Sequence, residues 1–569
     1  MILFRKFKDI LRGSPVVRAV VYVALFSGIL GISLFIGKKV LRPPVIISIE
    51  PELGSPGDIM IIKGKNFGSS KGSSYVSISG SKITESGYLM WTDREIQVKI
   101  PMNVRDGLVV VGNSAGKSYP SFFANQNGIP VLVRSDPETT IPVITSMSQV
   151  AGIGNTITIS GKNFGSVRGI SKVFFTANRE DIQSEQMLQQ SGDTFFIPAG
   201  ESDFDYVAWD DAEIRVRVPD GAATGPVYVM TDRGSSSYER LTVPFNSGKK
   251  SFYNKRTYVI QTGALFDAGK SQQEGLVTLY MPRPCVSASQ PSVSLNDCVP
   301  EPLIKDDAKN VIFQKQINPL APPVQRYSQS YVVSVYSVAS NVTAKNIATY
   351  RDTKSRLYLS FTAQDPLIPA KNETVISLMN TIVGKETNPY RKAYLIYDYM
   401  LKNYSIEKKV RTGNVNALEL LRRKTGDAYD WTVVFCSLCR AAGIPCVPVS
   451  GIIALRDNAC FSHWWAELYF ENFGWFPVDP ALGRGMEVEL FVPIEDSSSY
   501  YFGNMDSQHI AFSRGWNQIK ASLINSSVVS RTRTYALQSV WEEATASSGS
   551  SHVLDYECKW NEPVITGIY

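Results

Sequence analysis

The sequence predicts a multidomain chain: an N-terminal transmembrane helix, two all-β sandwiches, a β-rich connector and an α+β core. Three observations carry that reading. Residues 19–37 form one uncharged apolar run, a hexapeptide recurs inside a longer repeat, and helical periodicity replaces strand alternation near residue 388. At 569 residues the chain is also too long for one domain.

The apolar run, AVVYVALFSGILGISLFIG, has the length that a helix needs to cross about 30 Å of hydrocarbon. Arg5, Lys6, Lys8, Arg12 and Arg18 precede it, and Lys38, Lys39 and Arg42 follow. Residues 1–42 therefore read as a cytoplasmic stub and single-pass anchor, with the body in the periplasm or outside the cell. A cleaved signal peptide fits less well, because no small-x-small site precedes the lysines. The whole-chain charge of +6 comes from this end: eight basic residues and one acidic lie before residue 43, leaving 50 basic against 51 acidic. A near-neutral body has no basic field of the kind nucleic-acid binding uses.

The repeat comes next. Pro44-Val45-Ile46-Ile47-Ser48 recurs as Pro142-Val143-Ile144-Thr145-Ser146, Gly64–Ser69 (GKNFGS) recurs identically as Gly161–Ser166, and Trp91–Val98 recurs as Trp209–Val216. The offset is 97 residues at the hexapeptide and 118 at the tryptophan, so the second copy carries 21 extra residues, assigned to 176–205. Short alternating runs such as Ile59–Ile62 and Ile96–Ile100, separated by Gly, Ser and Asn, predict strands of a sandwich. This pattern resembles the immunoglobulin-like IPT/TIG fold, over residues 43–125 and 140–246. The resemblance implies a spacer or a binding module, with the inserted loop as the better contact surface.

Residues 250–370 continue as a β-rich connector, with strands expected around Thr257–Ile260, Leu276–Tyr280, Tyr331–Tyr336 and Leu357–Phe361. Cys285 and Cys298 bracket a Ser/Pro-rich loop; a disulfide and two free thiols both fit. Cys436 and Cys439 form a C-x-x-C on a helix, where core packing fits better than redox or zinc chemistry.

From residue 388 the helix pattern dominates. Asn388-Pro389 suits a helix start, with Ala393, Ile396, Tyr397 and Met400 on one face, and a second helix is expected at 416–424. A third follows Gly426: Asp427 suits its N-cap, Trp431, Val434, Phe435, Leu438, Cys439 and Ala442 recur at helical spacing, and Gly443 with Pro445 ends it. Then come a strand from Ser462-His463-Trp464-Trp465-Ala466-Glu467, a turn at Asn472-Phe473-Gly474, and a returning strand Trp475–Pro480.

The helix with Arg440 and Gly443-Ile444-Pro445, followed by His463-x-Trp465-x-Glu467 and Gly474-Trp475-x-x-x-Asp479-Pro480, resembles the transglutaminase-like superfamily. Its core would span 371–516, with 517–569 as a partly flexible tail. In that family a cysteine stands in the first turn of the helix, where the positive end of the macrodipole favours thiolate. The aligned residue here is Ala428. Cys436 lies about 12 Å further along the axis and cannot substitute. The resemblance implies His463 as the base and Asp479 as its orienting carboxylate. Trp464, Trp465, Trp475 and Asp427 would then line a surviving binding cleft, while Tyr500–Phe512 is read as structural.

The function expected is a bacterial, membrane-anchored pseudoenzyme that binds a protein, peptide or cell-wall glycan. The alternatives are an active or engineered-inactive amidase or transamidase of the same class, and a structural spacer. No cofactor is expected. The three histidines are scattered in sequence, with no H-E-x-x-H, and GKNFGS lacks the Lys-Ser/Thr end of a phosphate loop.

Overall fold

The computed structural model describes residues 42–125, 141–177 and 196–569, with short breaks inside those stretches and isolated positions before them. Apart from those isolated positions, the expected anchor lies outside the described residues. Most of the loop assigned to 176–205 does too, since 178–195 are not described. Among the described residues no helix is long and apolar enough to cross a membrane.

Both repeats fold into two-sheet sandwiches with matching strand order. In the first, Val45–Glu50, Ile59–Lys65, Glu95–Lys99 and Tyr88–Trp91 pair in that sequence; in the second, Val143–Met147, Thr156–Lys162, Glu213–Arg217 and Tyr206–Trp209 do the same. Alternate residues point inward (Met60, Ile62, Ile96 and Val98; Ile157, Ile159, Ile214 and Val216), as a period of two requires.

The recurring motifs recur because they bond to each other. Asn66 and Asn163 adopt φ of 63° and 65°, a left-handed turn that Asn tolerates. That turn buries Phe67 and Phe164 in the sandwich ends. The Trp91 Nε1 donates to the Phe67 carbonyl at 3.1 Å, and Trp209 does so to Phe164 at the same distance. Gly68 N donates to Asp93 Oδ1 and Gly165 N to Asp211 Oδ1, each at 3.0 Å.

The connector is a larger sandwich. Lys249–Asp267 pairs along its length with Val324–Asn341, which also carries Ser292–Val299; the facing sheet holds Asn310–Ile317 and Gly275–Pro282. Residues beyond 517, expected as a tail, complete both sheets. Trp541–Ala546 pairs with Gly275–Pro282, and Glu557–Trp560 and Val564–Ile568 pair with Lys249–Asp267. Cys558 and Ile565 are thereby buried with Tyr258, Phe266, Leu279 and Tyr331. Cys285 and Cys298 are separate free thiols, because they pack against different cores.

Leu357–Phe361 is a correction: it lies in a helix, Arg356–Thr362, not a strand. Ser355 caps it, its Oγ accepting from Tyr358 N at 3.2 Å. Helix Ala428–Ala441 then packs on an antiparallel sheet ordered Gly474–Val478, Cys460–Phe470, Cys446–Ala454, His509–Arg514, and helices Glu373–Val383 and Pro389–Asn403 pack against that helix. Asn388 caps its helix, its side chain accepting from Arg391 N. Every residue from Ala428 to Arg440 is buried, so this helix is enclosed on all sides rather than amphipathic. Cys436, Cys439 and Cys446 sit in that interior as free thiols, with Cys436 Sγ 3.3 Å from Cys446 Sγ.

Candidate functional site

The site begins at the N-terminus of the Ala428–Ala441 helix. Asp427 Oδ1 accepts from Asp430 N at 3.0 Å, and Asp430 Oδ2 accepts from Asp427 N at 3.2 Å. This reciprocal cap fixes Ala428 as the first residue of the helix, where its methyl group is buried. Two arginines close over the carboxylates. Arg411 reaches Asp430 Oδ2 through Nε at 2.8 Å, and its backbone N donates to Asp427 Oδ2 at 2.7 Å. Arg533 donates to Asp427 Oδ2 at 2.8 Å and to Asp430 Oδ1 at 2.5 Å, while its guanidinium lies 4.1 Å above the Tyr429 ring. Burial pushes the Asp430 carboxyl up, as does the Asp427 charge; the Arg533 and Arg411 guanidinium groups oppose this.

The Cys460–Phe470 strand packs against this helix, and Tyr429 meets Trp464 edge to face at 5.7 Å. His463, the residue before Trp464, is fully buried. Its Nε2 lies 2.6 Å from Asp479 Oδ2, and its Nδ1 has no hydrogen-bond partner among the described residues. Asp479 is held by its other oxygen: Oδ1 accepts from Ala481 N at 3.0 Å and Leu482 N at 2.9 Å, capping the short helix Pro480–Gly483.

A second imidazole shares the same carboxylate oxygen. His509 Nε2 lies 3.1 Å from Asp479 Oδ2, and its Nδ1 lies 2.9 Å from Asp506 Oδ1. Asp506 Oδ2 in turn accepts from Tyr501 Oη at 2.8 Å. Burial alone would raise Asp479; the two imidazoles outweigh it and hold the carboxyl well below the usual range. Burial opposes protonation of His509, but Asp506 and Asp479 prevail and lift it to about 9.

The structure thus brings His463 and Asp479 together and adds His509, Asp506, Arg411 and Arg533, which sequence reasoning missed. Asp506-x-x-His509 lies in the segment read as merely structural, and its spacing was the one local hint. Arg533 gave none, since it arrives from 106 residues away. Trp464, Trp465, Trp475 and Asp427 do not line a cleft. Each is buried: Trp464 against Tyr429, Trp465 stacked beside His463, Trp475 under the Arg514 guanidinium, and Asp427 in its ion pairs. Large rings between a helix and a sheet bury more apolar area as packing than as a cleft wall. An open concavity lies elsewhere. A cavity of about 480 Å³ between connector and core is lined by Tyr253, Arg256, Phe491, Glu495, Tyr500 and Asp506, among others.

Comparison with known proteins agrees with this layout. Residues 376–480 match the transglutaminase-like superfamily model, and 44–124 match the IPT/TIG domain model. The chain therefore carries a transglutaminase-like core preceded by an IPT/TIG domain. An uncharacterized protein of Haemophilus influenzae is 31% identical over 160 residues, 23% of this chain and 43% of the relative. A cyclomaltodextrin glucanotransferase of Paenibacillus macerans is 36% identical over 81 residues, 14% of this chain and 11% of the relative. The chain spans less than half the length of these relatives. Among solved structures, a putative cysteine protease from Cytophaga hutchinsonii aligns over 56% of this chain and 91% of its own, with a TM-score of 0.34 and 13% identity. The periplasmic domain of TgpA from Pseudomonas aeruginosa aligns over 40% and 86%, with a TM-score of 0.24 and 14% identity.

Proposed function

We propose that this chain is an exported, membrane-anchored transglutaminase-like protein that works without thiol catalysis, as a binding module for a protein, peptide or glycan. One observation carries the reading. Ala428 occupies the first turn of the buried helix that packs on the His463 strand, and a methyl group cannot take up an acyl group. The imidazole and its carboxylate stay aligned, but the imidazole nitrogen left without a partner has no thiol to deprotonate. The uncharged run at 19–37 supports export and anchoring. Recognition is assigned to the cavity between connector and core, whose aromatic and polar lining suits peptide backbone or sugar hydroxyls.

The test compares the wild-type chain with Ala428→Cys on glutaminyl and peptide amides, with and without an amine acceptor. The wild type is expected to stay at background and the variant to gain turnover. Wild-type turnover would overturn the proposal. Binding to peptide and cell-wall glycan arrays is expected to weaken in Tyr500→Ala.

The intact His463–Asp479 pair favours a second reading, an amidase or transamidase of this class whose thiol has been replaced. In that case Ala428→Cys reaches the turnover of an ordinary enzyme, on the order of 1–10³ per second, rather than a trace.

A further inference from the structure

Two histidines and a carboxylate separated by 16 and 30 residues in sequence meet in the interior of the core. One ligand atom from each of His463, Asp479 and His509 lies within 4.8 Å of the other two. We propose that these three side chains form a binding site for one first-row divalent cation, zinc fitting best.

The two imidazole donors converge on the third donor, Asp479 Oδ2. Asp506 holds His509 Nδ1 at 2.9 Å, which turns Nε2 toward Asp479; a carboxylate behind a ligating imidazole is the usual second-layer support of a zinc histidine. The two backbone N–H groups of Ala481 and Leu482 hold Asp479 Oδ1, which leaves Oδ2 as the ligand oxygen. His463 Nε2 faces that same oxygen at 2.6 Å. Trp465 stacks beside His463 and meets His509 edge-on at 5.2 Å, so both rings are fixed by packing. Zinc bonds of about 2.0–2.1 Å in tetrahedral geometry put ligand atoms roughly 3.3 Å apart. The two histidine–carboxylate separations of 2.6 and 3.1 Å open by about 0.7 and about 0.2 Å to reach it, and the imidazole nitrogens, within 4.8 Å of each other, turn toward the same point.

Asp479 and Asp506 are two buried carboxylates, bonded by imidazole, phenol and backbone N–H groups among the described residues. Two nitrogens and one oxygen suit zinc, iron(II) or cobalt(II), and do not suit calcium or magnesium, which take oxygen donors. Cation binding breaks the His463–Asp479 hydrogen bond, so it competes with the pair described above.

The experiment uses the full chain, stripped by chelator and then titrated with Zn²⁺ and, separately, with Co²⁺. One equivalent of zinc should remain after dialysis, and cobalt should give the intense visible absorption of a low-coordinate site. His509→Gln and His463→Gln should lose that absorption, and Asp506→Asn should weaken affinity about 10–100-fold. If a variant fails to fold by circular dichroism, zinc-edge X-ray absorption on the wild type takes its place and should report two imidazole nitrogens. Failure to retain stoichiometric metal overturns the proposal. So does cobalt absorption unchanged in folded histidine variants, or an edge spectrum without imidazole. None of these outcomes depends on the activity of Ala428→Cys.

Discussion

The guanidinium of Arg533 donates to the Asp427 carboxylate at 2.8 Å and so ties a C-terminal segment to the first turn of a helix 106 residues earlier. Asp427 and Asp430 are both buried, and Arg533 bonds to each. Arg533→Ala leaves Arg411 as the one remaining side-chain cation bonded to the pair among the described residues. A stability loss of about 3–5 kcal/mol is expected from the uncompensated buried charge, read as a fall in urea midpoint. Arg533→Lys should recover only part of it, since an ammonium cannot reproduce the forked geometry.

His509 and Asp479 predict opposite pH limbs. His509 is raised from 6.5 to about 9 in the folded chain. Its contribution is therefore fully present below about pH 6.5 and lost as pH rises through about 9, a swing on the order of 3 kcal/mol. Asp479 is lowered, so its contribution is present above the unfolded value near 4 and lost as pH falls toward the folded one. Chemical unfolding of the metal-free chain between pH 6 and 10 should show a steeper alkaline loss in wild type than in His509→Gln, since buried thiols such as Cys436 and Cys446 add a loss common to both.

The sandwiches offer a matched pair of tests. Asp93 and Asp211 each accept from the glycine of the shared hexapeptide at 3.0 Å. Asp93→Ala and Asp211→Ala should each cost about 1 kcal/mol in the sandwich that carries the change, and little in the other. Limited proteolysis with mass spectrometry distinguishes the two domains.

A chain stopped at residue 526 should lose the connector. It removes Trp541–Ala546, Glu557–Trp560 and Val564–Ile568, and leaves the Gly275–Pro282 and Lys249–Asp267 strands with open edges. The expected outcome is aggregation, while a fragment spanning 43–125 stays folded. Size-exclusion chromatography checks both.

Local signals were legible and distant ones were not. Asn388, Asp427 and the repeated hexapeptide each act within a few residues, and each cap or turn they imply is present. Leu357–Phe361 alternates like a strand, but the Ser355 cap makes it a helix. Residues after 526 have ordinary strand composition; only pairing with partners some 300 residues away shows what they complete. Trp464 and Trp465 read as cleft aromatics because sequence cannot separate a buried ring from a lining one. His509 joins Asp479 through sheet order, with the His509–Arg514 strand three positions from the Gly474–Val478 strand that ends before Asp479, across Cys460–Phe470 and Cys446–Ala454.

Thr257 and Tyr569 exchange backbone hydrogen bonds at 2.8 and 2.9 Å. On a ribosome, Thr257 is made 312 residues before its partner. At about 5–20 residues per second that interval lasts roughly 15–60 s. Throughout it a long, apolar strand edge waits in the nascent polypeptide, open to mispairing with neighbouring chains. The connector sheet therefore closes only once the strands at 557–568 have been made.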